Sequence, residues 1–142
     1  EFTIKKLKKF DKKIICITYL KESLILEDKI LELFCSKYES IVNQNKNSFM
    51  IIDARNIKSV DFEKALTKIS IFKKLDKIVE NNIFCISYLI NNIIFKNMIN
   101  TIVKLYPPAV PIKVCNENKE ILKFLENIYT KNKKGFCPML VA

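Results

Sequence analysis

Two aspartates mark the stretch of this chain whose residue types most suggest chemistry. In residues 49–66, FMIIDARNIKSVDFEKAL, an apolar run ends on Asp53, and a helical pattern begins at Asp61. A carboxylate that follows a parallel strand lies at the edge where such sheets bind ligands. A carboxylate that precedes a helix can instead cap its first backbone N–H groups. The pair therefore predicts either a site or a structural joint.

Polar residues also follow the later apolar runs of the chain. Asn91 and Asn92 come after IFCISYL, and Asn116 comes after PIKVC. If these runs are parallel strands, the three amides and Asp53 share one sheet edge and would line a small ligand cleft. Asparagine is equally suited to begin a helix, so a purely structural role is the alternative.

The constellations that most enzymes use are missing from the sequence. The chain has no histidine and a single glycine, Gly135, which leaves out catalytic triads and glycine-rich phosphate loops. Its five cysteines include no C-x-x-C pair, so neither a zinc site nor a disulfide framework is predicted. The sequence therefore predicts a protein that is not an enzyme and that uses no cofactor or metal.

The net charge of +10 comes almost entirely from lysine, since Arg55 is the only arginine. Such a charge suggests an anionic partner, a nucleic acid or an anionic membrane surface. Phosphates and guanines favour the bidentate arginine fork, however, so we interpret most of the lysines as solvated surface charge. The longest apolar runs are of strand length, well below the ~20 residues that cross a bilayer, and no leader precedes them. We therefore expect a soluble, cytoplasmic protein.

Hydrophobic spacing divides the chain into alternating strands and helices. The predicted order is ββαβαβαβα: two β-like runs joined by a hairpin at residues 11–12, a helix from Leu26 to the polar NQNKNS, the strand FMIID, a helix over residues 62–79, the strand IFCISYL, a helix from residues 91–92 to the prolines at 107–108, the strand PIKVC and a last amphipathic helix. Helices of this length can connect parallel strands. The order predicts an α/β fold with a mostly parallel sheet and helices packed on it, as one domain over residues 1–129 with a basic tail over 130–142.

The strand ending in IIDARNI, the strand IFCISYL and the closing pattern PIKVCNENKEILKFL resemble a known family. Over residues 10–129 the chain resembles the small STAS/Sec14-like domains, which share the anti-sigma-factor-antagonist fold and are related in pattern to the lipid-binding CRAL-TRIO domain. In signalling STAS domains an Asp-Ser-Ser-Gly turn carries the phosphorylated hydroxyl. Here Phe62 and Glu63 follow Asp61 in place of the two serines, and Lys64 takes the place of the glycine. The resemblance thus implies a domain without the phosphoswitch, with Glu63 as a fixed negative charge near the helix start.

This resemblance implies a non-enzymatic regulatory domain that binds another protein through the loop 54–63 and the helix after it. The residues predicted to contact that partner are Asp53, Arg55, Ser59, Asp61, Phe62 and Glu63. The alternative is a Sec14-like carrier of a lipid or another small apolar ligand, against which stands the expectation that the chain is short for a closed acyl pocket. A third interpretation is a lysine-rich binder of an anionic membrane surface or, less favoured, of nucleic acid. The sequence leaves a homodimer open.

Overall fold

A computed structural model describes the backbone of residues 2–7 and 12–133 and the side chains of residues 13–130. It contains strands β1 (Phe2–Leu7), β2 (Lys12–Thr18), β3 (Ser48–Asp53), β4 (Ile83–Leu89) and β5 (Ile112–Cys115), and helices α1 (Asp28–Gln44), α2 (Phe62–Leu66), α3 (Ile69–Val79), α4 (Ile93–Leu105) and α5 (Asn118–Lys133). Helix α5 runs past residue 129, where the domain is predicted to end. Within these described ranges, each helix is too short or too polar to cross a membrane.

The five strands form one sheet in the order β1-β2-β3-β4-β5. Strands β2 to β5 are parallel, and β1 pairs with β2 in the antiparallel direction. The predicted α/β class is therefore confirmed. Of the hairpin predicted at residues 11–12, residue 11 lies outside the described residues and Lys12 is the first residue of β2. Because successive parallel strands are neighbours, their carboxyl ends line up along one edge, where Thr18, Asp53 and Leu89 share a register row.

Helices cover both faces of the sheet, and the two faces have separate apolar cores. Helices α1 and α3 pack on the face that carries Ile15, Met50 and Ile86. Helix α5 packs on the opposite face, against Phe49 and Cys85. Phe49 and Met50 are adjacent in β3 and both fully buried, which explains why this strand reads as a continuous apolar run.

Helix α4 belongs to a third core beside the carboxyl edge of the sheet. Its residues Phe95, Met98 and Ile99 pack with Ala54 and Ile57 of the segment that follows β3. This packing holds the loops of the edge against the rest of the domain.

The single helix predicted over residues 62–79 is wrong: the structure has two helices, α2 and α3, which meet at Thr67 and Lys68. At this junction the backbone N–H of Thr67 donates to Lys64 and that of Lys68 to Ala65, three residues back. The Thr67 hydroxyl also donates to the Lys64 carbonyl at 2.6 Å. These bonds replace the regular helical pattern, so α2 ends and α3 begins at this junction.

Asparagines make the tight turns that precede β3 and β4. Asn47 and Asn81 adopt positive φ angles of 60° and 66°, a conformation that asparagine tolerates better than most other residues. Asn45 and Asn82 lie beside them and donate side-chain hydrogen bonds to the last turns of α1 and α3. In a chain with one glycine, asparagine thus serves as the residue that ends helices.

Candidate functional site

Asp53 and Arg55 form a bidentate ion pair at the carboxyl end of β3. Arg55 donates from Nε to Asp53 Oδ1 at 2.9 Å and from an Nη atom to Oδ2 at 2.7 Å, and its backbone N–H also donates to Oδ1. The hydrogen bonds from Arg55 hold the pKa of the Asp53 carboxyl below its ordinary value. The two predicted site residues therefore neutralise each other, and the pair fixes the turn after the strand.

The predicted cleft at the sheet edge is only partly assembled. Asn91 lies with Asp53 and Arg55 around a polar depression, which Thr18, Tyr19 and Asn56 complete. Asn92 is the N-cap of α4, where its side chain accepts from the Phe95 N–H and donates to the Lys58 carbonyl. Asn116 instead contacts the ammonium group of Lys96. Of the three asparagines, the structure brings Asn91 to Asp53 and gives Asn92 a structural role.

The loop 54–63 is tied to the segment that follows β2. Ser59 bridges to Ser23 in a parallel pairing, and the backbone N–H groups of Lys58 and Ser59 both donate to the Glu22 carbonyl. Lys58 also forms an exposed ion pair with the Glu22 side chain. The loop 54–63 is thus fixed at Lys58 and Ser59 to residues 22–23.

Asp61 begins α2 as predicted from the sequence. Its side chain accepts from the Lys64 backbone N–H at 3.0 Å, which is the N-cap arrangement. Phe62 is half-buried in the core beside α4, and Glu63 is exposed. Binding of another protein to this face stays a prediction, since these contacts are explained by the fold alone.

We expect Asp61→Ala to lower the free energy of unfolding by about 1 kcal/mol, because the N–H that it caps loses its partner. Asp61→Asn is the matched control, since its amide oxygen can still accept from Lys64. Thermal unfolding of the two variants measures the difference. Equal destabilisation by both substitutions would show that the charge of Asp61, and not the cap, is what stabilises α2.

An apolar cavity of about 440 Å³ lies between the sheet and helices α1, α3 and α4. It occupies the sheet face opposite α5. Aliphatic and aromatic side chains from the sheet, the three helices and the connecting loops form most of its wall, among them Ile17, Leu24, Leu26, Ile30, Phe34, Ile52, Ile69, Phe72, Leu75, Ile86, Phe95, Ile99, Ile102 and Val103. This volume lies in the range of ~300–1,000 Å³ that is typical of small-molecule sites.

The loop after β2 forms one wall of the cavity and is held in place by Tyr19. The Tyr19 hydroxyl donates to the Ser23 carbonyl at 3.0 Å and accepts from the Ile25 N–H at 3.1 Å. These two bonds fold the loop so that Leu24 and Leu26 face the cavity. This loop therefore forms part of the cavity wall, in addition to the helices and the sheet.

The opening of the cavity lies at the end of α4. Leu105 and Tyr106 line the cavity and are 60% and 39% exposed; Ile30, in α1, also lines the cavity and is 39% exposed. The ammonium group of Lys73 sits 4.4 Å from the centre of the Tyr106 ring, a cation–π contact that orients both side chains. The rim is thus apolar with one cation.

Besides Tyr19 and the rim residues Lys73 and Tyr106, three polar side chains interrupt the apolar wall. Tyr38, Tyr88 and Asp76 all line the cavity. Burial, and then the charge of Asp76, raise the pKa of Tyr88 to about 12. Burial is also the main cause that raises the pKa of Tyr38, and Tyr88 and Asp76 add to it. Both phenols therefore stay protonated at neutral pH, and each can donate a hydrogen bond.

Sequence reasoning missed this cavity. Its lining residues were assigned to ordinary helix faces, because periodicity shows which face of a helix is apolar and not how far the helix stands from the sheet. One signal was present: α4 carries apolar residues around most of its circumference, and Ile93, Ile94 and Leu105 remain exposed. No protein-family model matches the chain, and a search of the curated proteins found no match.

Proposed function

We propose that the protein binds a small apolar molecule in the cavity between the sheet and helices α1, α3 and α4. The observation that carries this proposal is the cavity itself, with a volume of about 440 Å³ and a wall of mainly aliphatic and aromatic side chains. An apolar space of this size, when empty, leaves its lining side chains without packing partners on one side. A ligand supplies those contacts, so its binding stabilises the fold.

The opening supports exchange of such a ligand. Leu105 and Tyr106 leave the wall partly exposed at the end of α4, and Ile30 does so at the start of α1. An apolar rim lets an apolar molecule enter without first crossing a ring of charges. The ion pair between Lys68 and Asp28, 2.6 Å long, joins the α2–α3 junction to the start of α1.

The proposal ranks the carrier interpretation above the protein-binding one. The sequence favours a regulatory domain because of its resemblance to STAS domains, and it disfavours a carrier because the chain is short for a closed acyl pocket. The cavity, with a volume of about 440 Å³, weighs against that objection. The resemblance to Sec14-like domains, which implies a lipid or another apolar ligand, is a second support that is independent of the cavity.

Titration with Nile red, a neutral dye whose fluorescence rises in apolar surroundings, tests the proposal. We expect saturable binding of one dye per protein molecule and displacement by a medium-chain aliphatic alcohol. Mass spectrometry of an organic extract of protein purified from its native source should identify the natural ligand. Unsaturable dye binding with no displacement would contradict the proposal, because it would mean that the dye adsorbs to the exposed apolar surface.

A further inference from the structure

We propose that the cavity selects an amphiphile whose polar end is a hydroxyl group, bound at the cluster formed by Tyr38, Tyr88 and Asp76. This inference rests on the proposed function and adds the chemical class of the ligand. The three side chains are drawn from α1, β4 and α3, and they meet at the wall of one cavity. They are polar groups that a ligand between helices α1 and α3 and the sheet would contact.

The hydroxyl groups of Tyr38 and Tyr88 can each form further hydrogen bonds. Tyr38 is 3% exposed, and within the part of the chain whose side chains are described neither its hydroxyl nor that of Tyr88 takes part in a hydrogen bond. A phenol hydroxyl that faces an apolar space receives no hydrogen bond from the side chains around it. A ligand hydroxyl that lies between the two phenols would satisfy them, since a hydroxyl can both donate and accept.

Asp76 determines whether the cluster can bind a charged or a neutral ligand group. Both of its carboxylate oxygens accept from the Ala109 N–H, at 2.9 and 3.1 Å, and each oxygen keeps a further lone pair. This backbone bond fixes the carboxylate at the cavity wall. Its charge is felt at both phenols, as their raised pKa values show. A ligand carboxylate at the same place would be repelled by Asp76, whereas a ligand hydroxyl can donate to it.

Lys73, a cation in the cavity wall, does not offset the preference for a hydroxyl over a carboxylate. The Lys73 ammonium group lies over the ring of Tyr106, at the rim, and forms no ion pair with Asp76 among the described residues. Lys73 is exposed, so water screens its charge, whereas Tyr38 is buried and Tyr88 and Asp76 are half-buried. The polar end of the ligand is therefore placed at the cluster, and its chain lies along the apolar wall of the cavity.

Displacement of Nile red by decanol and by decanoate, which share one chain length, tests the inference at neutral pH. We expect wild-type protein to bind decanol at least tenfold more tightly than decanoate. Tyr88→Phe should weaken decanol about two- to tenfold, the loss of one hydrogen bond. Asp76→Asn keeps an oxygen for the Ala109 N–H, removes the charge, and should raise the affinity for decanoate about tenfold. Tyr129→Phe, in the core under α5, is the matched control and should change neither affinity.

The outcomes separate the two proposals. If wild-type protein binds decanoate as tightly as decanol, or if Asp76→Asn leaves the ratio of the two affinities unchanged, the hydroxyl inference is wrong while apolar binding stands. If neither probe displaces the dye and the dye itself does not saturate, the proposed function fails, and the inference fails with it.

Discussion

Val103→Trp is expected to reduce the affinity for Nile red more than tenfold while the protein stays folded. Val103 lies on α4, lines the cavity and is half-buried, so a larger side chain at this position has space on the cavity side. The indole would occupy volume that the proposed ligand needs. In a close-packed core the same substitution would be destabilising, but here it fills an existing space, so we expect an unchanged or higher melting temperature.

The control for this experiment lies on the other face of the sheet. Phe124 is half-buried against the core under α5 and does not line the cavity. Phe124→Trp also introduces an indole, and it should leave dye binding unchanged. Binding is measured by fluorescence titration and folding by thermal unfolding. If Val103→Trp binds the dye as wild-type protein does, the dye does not bind in this cavity.

The position of the cavity depends on contacts between residues that are far apart in the sequence. Asp76 of α3 accepts the Ala109 N–H from the loop that follows α4, and Lys68 pairs with Asp28 at the start of α1. These bonds fix how the three helices stand around the cavity. Neither bond leaves a mark in local periodicity, which is why the sequence predicts the helices and not the space between them.

Local features, by contrast, could be predicted because their causes are local. The strand IFCISYL coincides with β4, and Asn92 and Asp61 cap α4 and α2 through side chains next to the helix start. The break between α2 and α3 was missed although it is also local. Leu66 and Ile69 are three residues apart, a helical spacing that continues across the break, and Thr67 gives little warning because its hydroxyl can bond back to the helix without ending it.

Each of the two aspartates, Asp53 and Asp61, has a structural role. Asp61 caps a helix, and Asp53 is bound by Arg55, so both carboxylates are used within the fold. The larger space lies on the face of the sheet that carries Ile52, one residue before Asp53. The acidic residue at the strand end therefore did not mark the proposed site, which is formed by an apolar wall and by the side chains of Tyr38, Tyr88 and Asp76.

Leu125→Ala is expected to lower the free energy of unfolding by about 2–5 kcal/mol, whereas Leu122→Ala, in the same helix, should change it by less than about 0.5 kcal/mol. Leu125 is fully buried between α5 and the sheet, and Leu122 is 46% exposed.

Helix α5 covers the face opposite the cavity, so the space that Leu125→Ala creates is separated from the proposed ligand by the sheet. At temperatures well below its melting point the variant should therefore bind Nile red with the wild-type affinity. Chemical denaturation measures the stability and fluorescence titration the binding. An equal cost for both leucines would mean that α5 does not pack as described, and weaker dye binding by folded Leu125→Ala would mean that the two faces of the sheet are coupled.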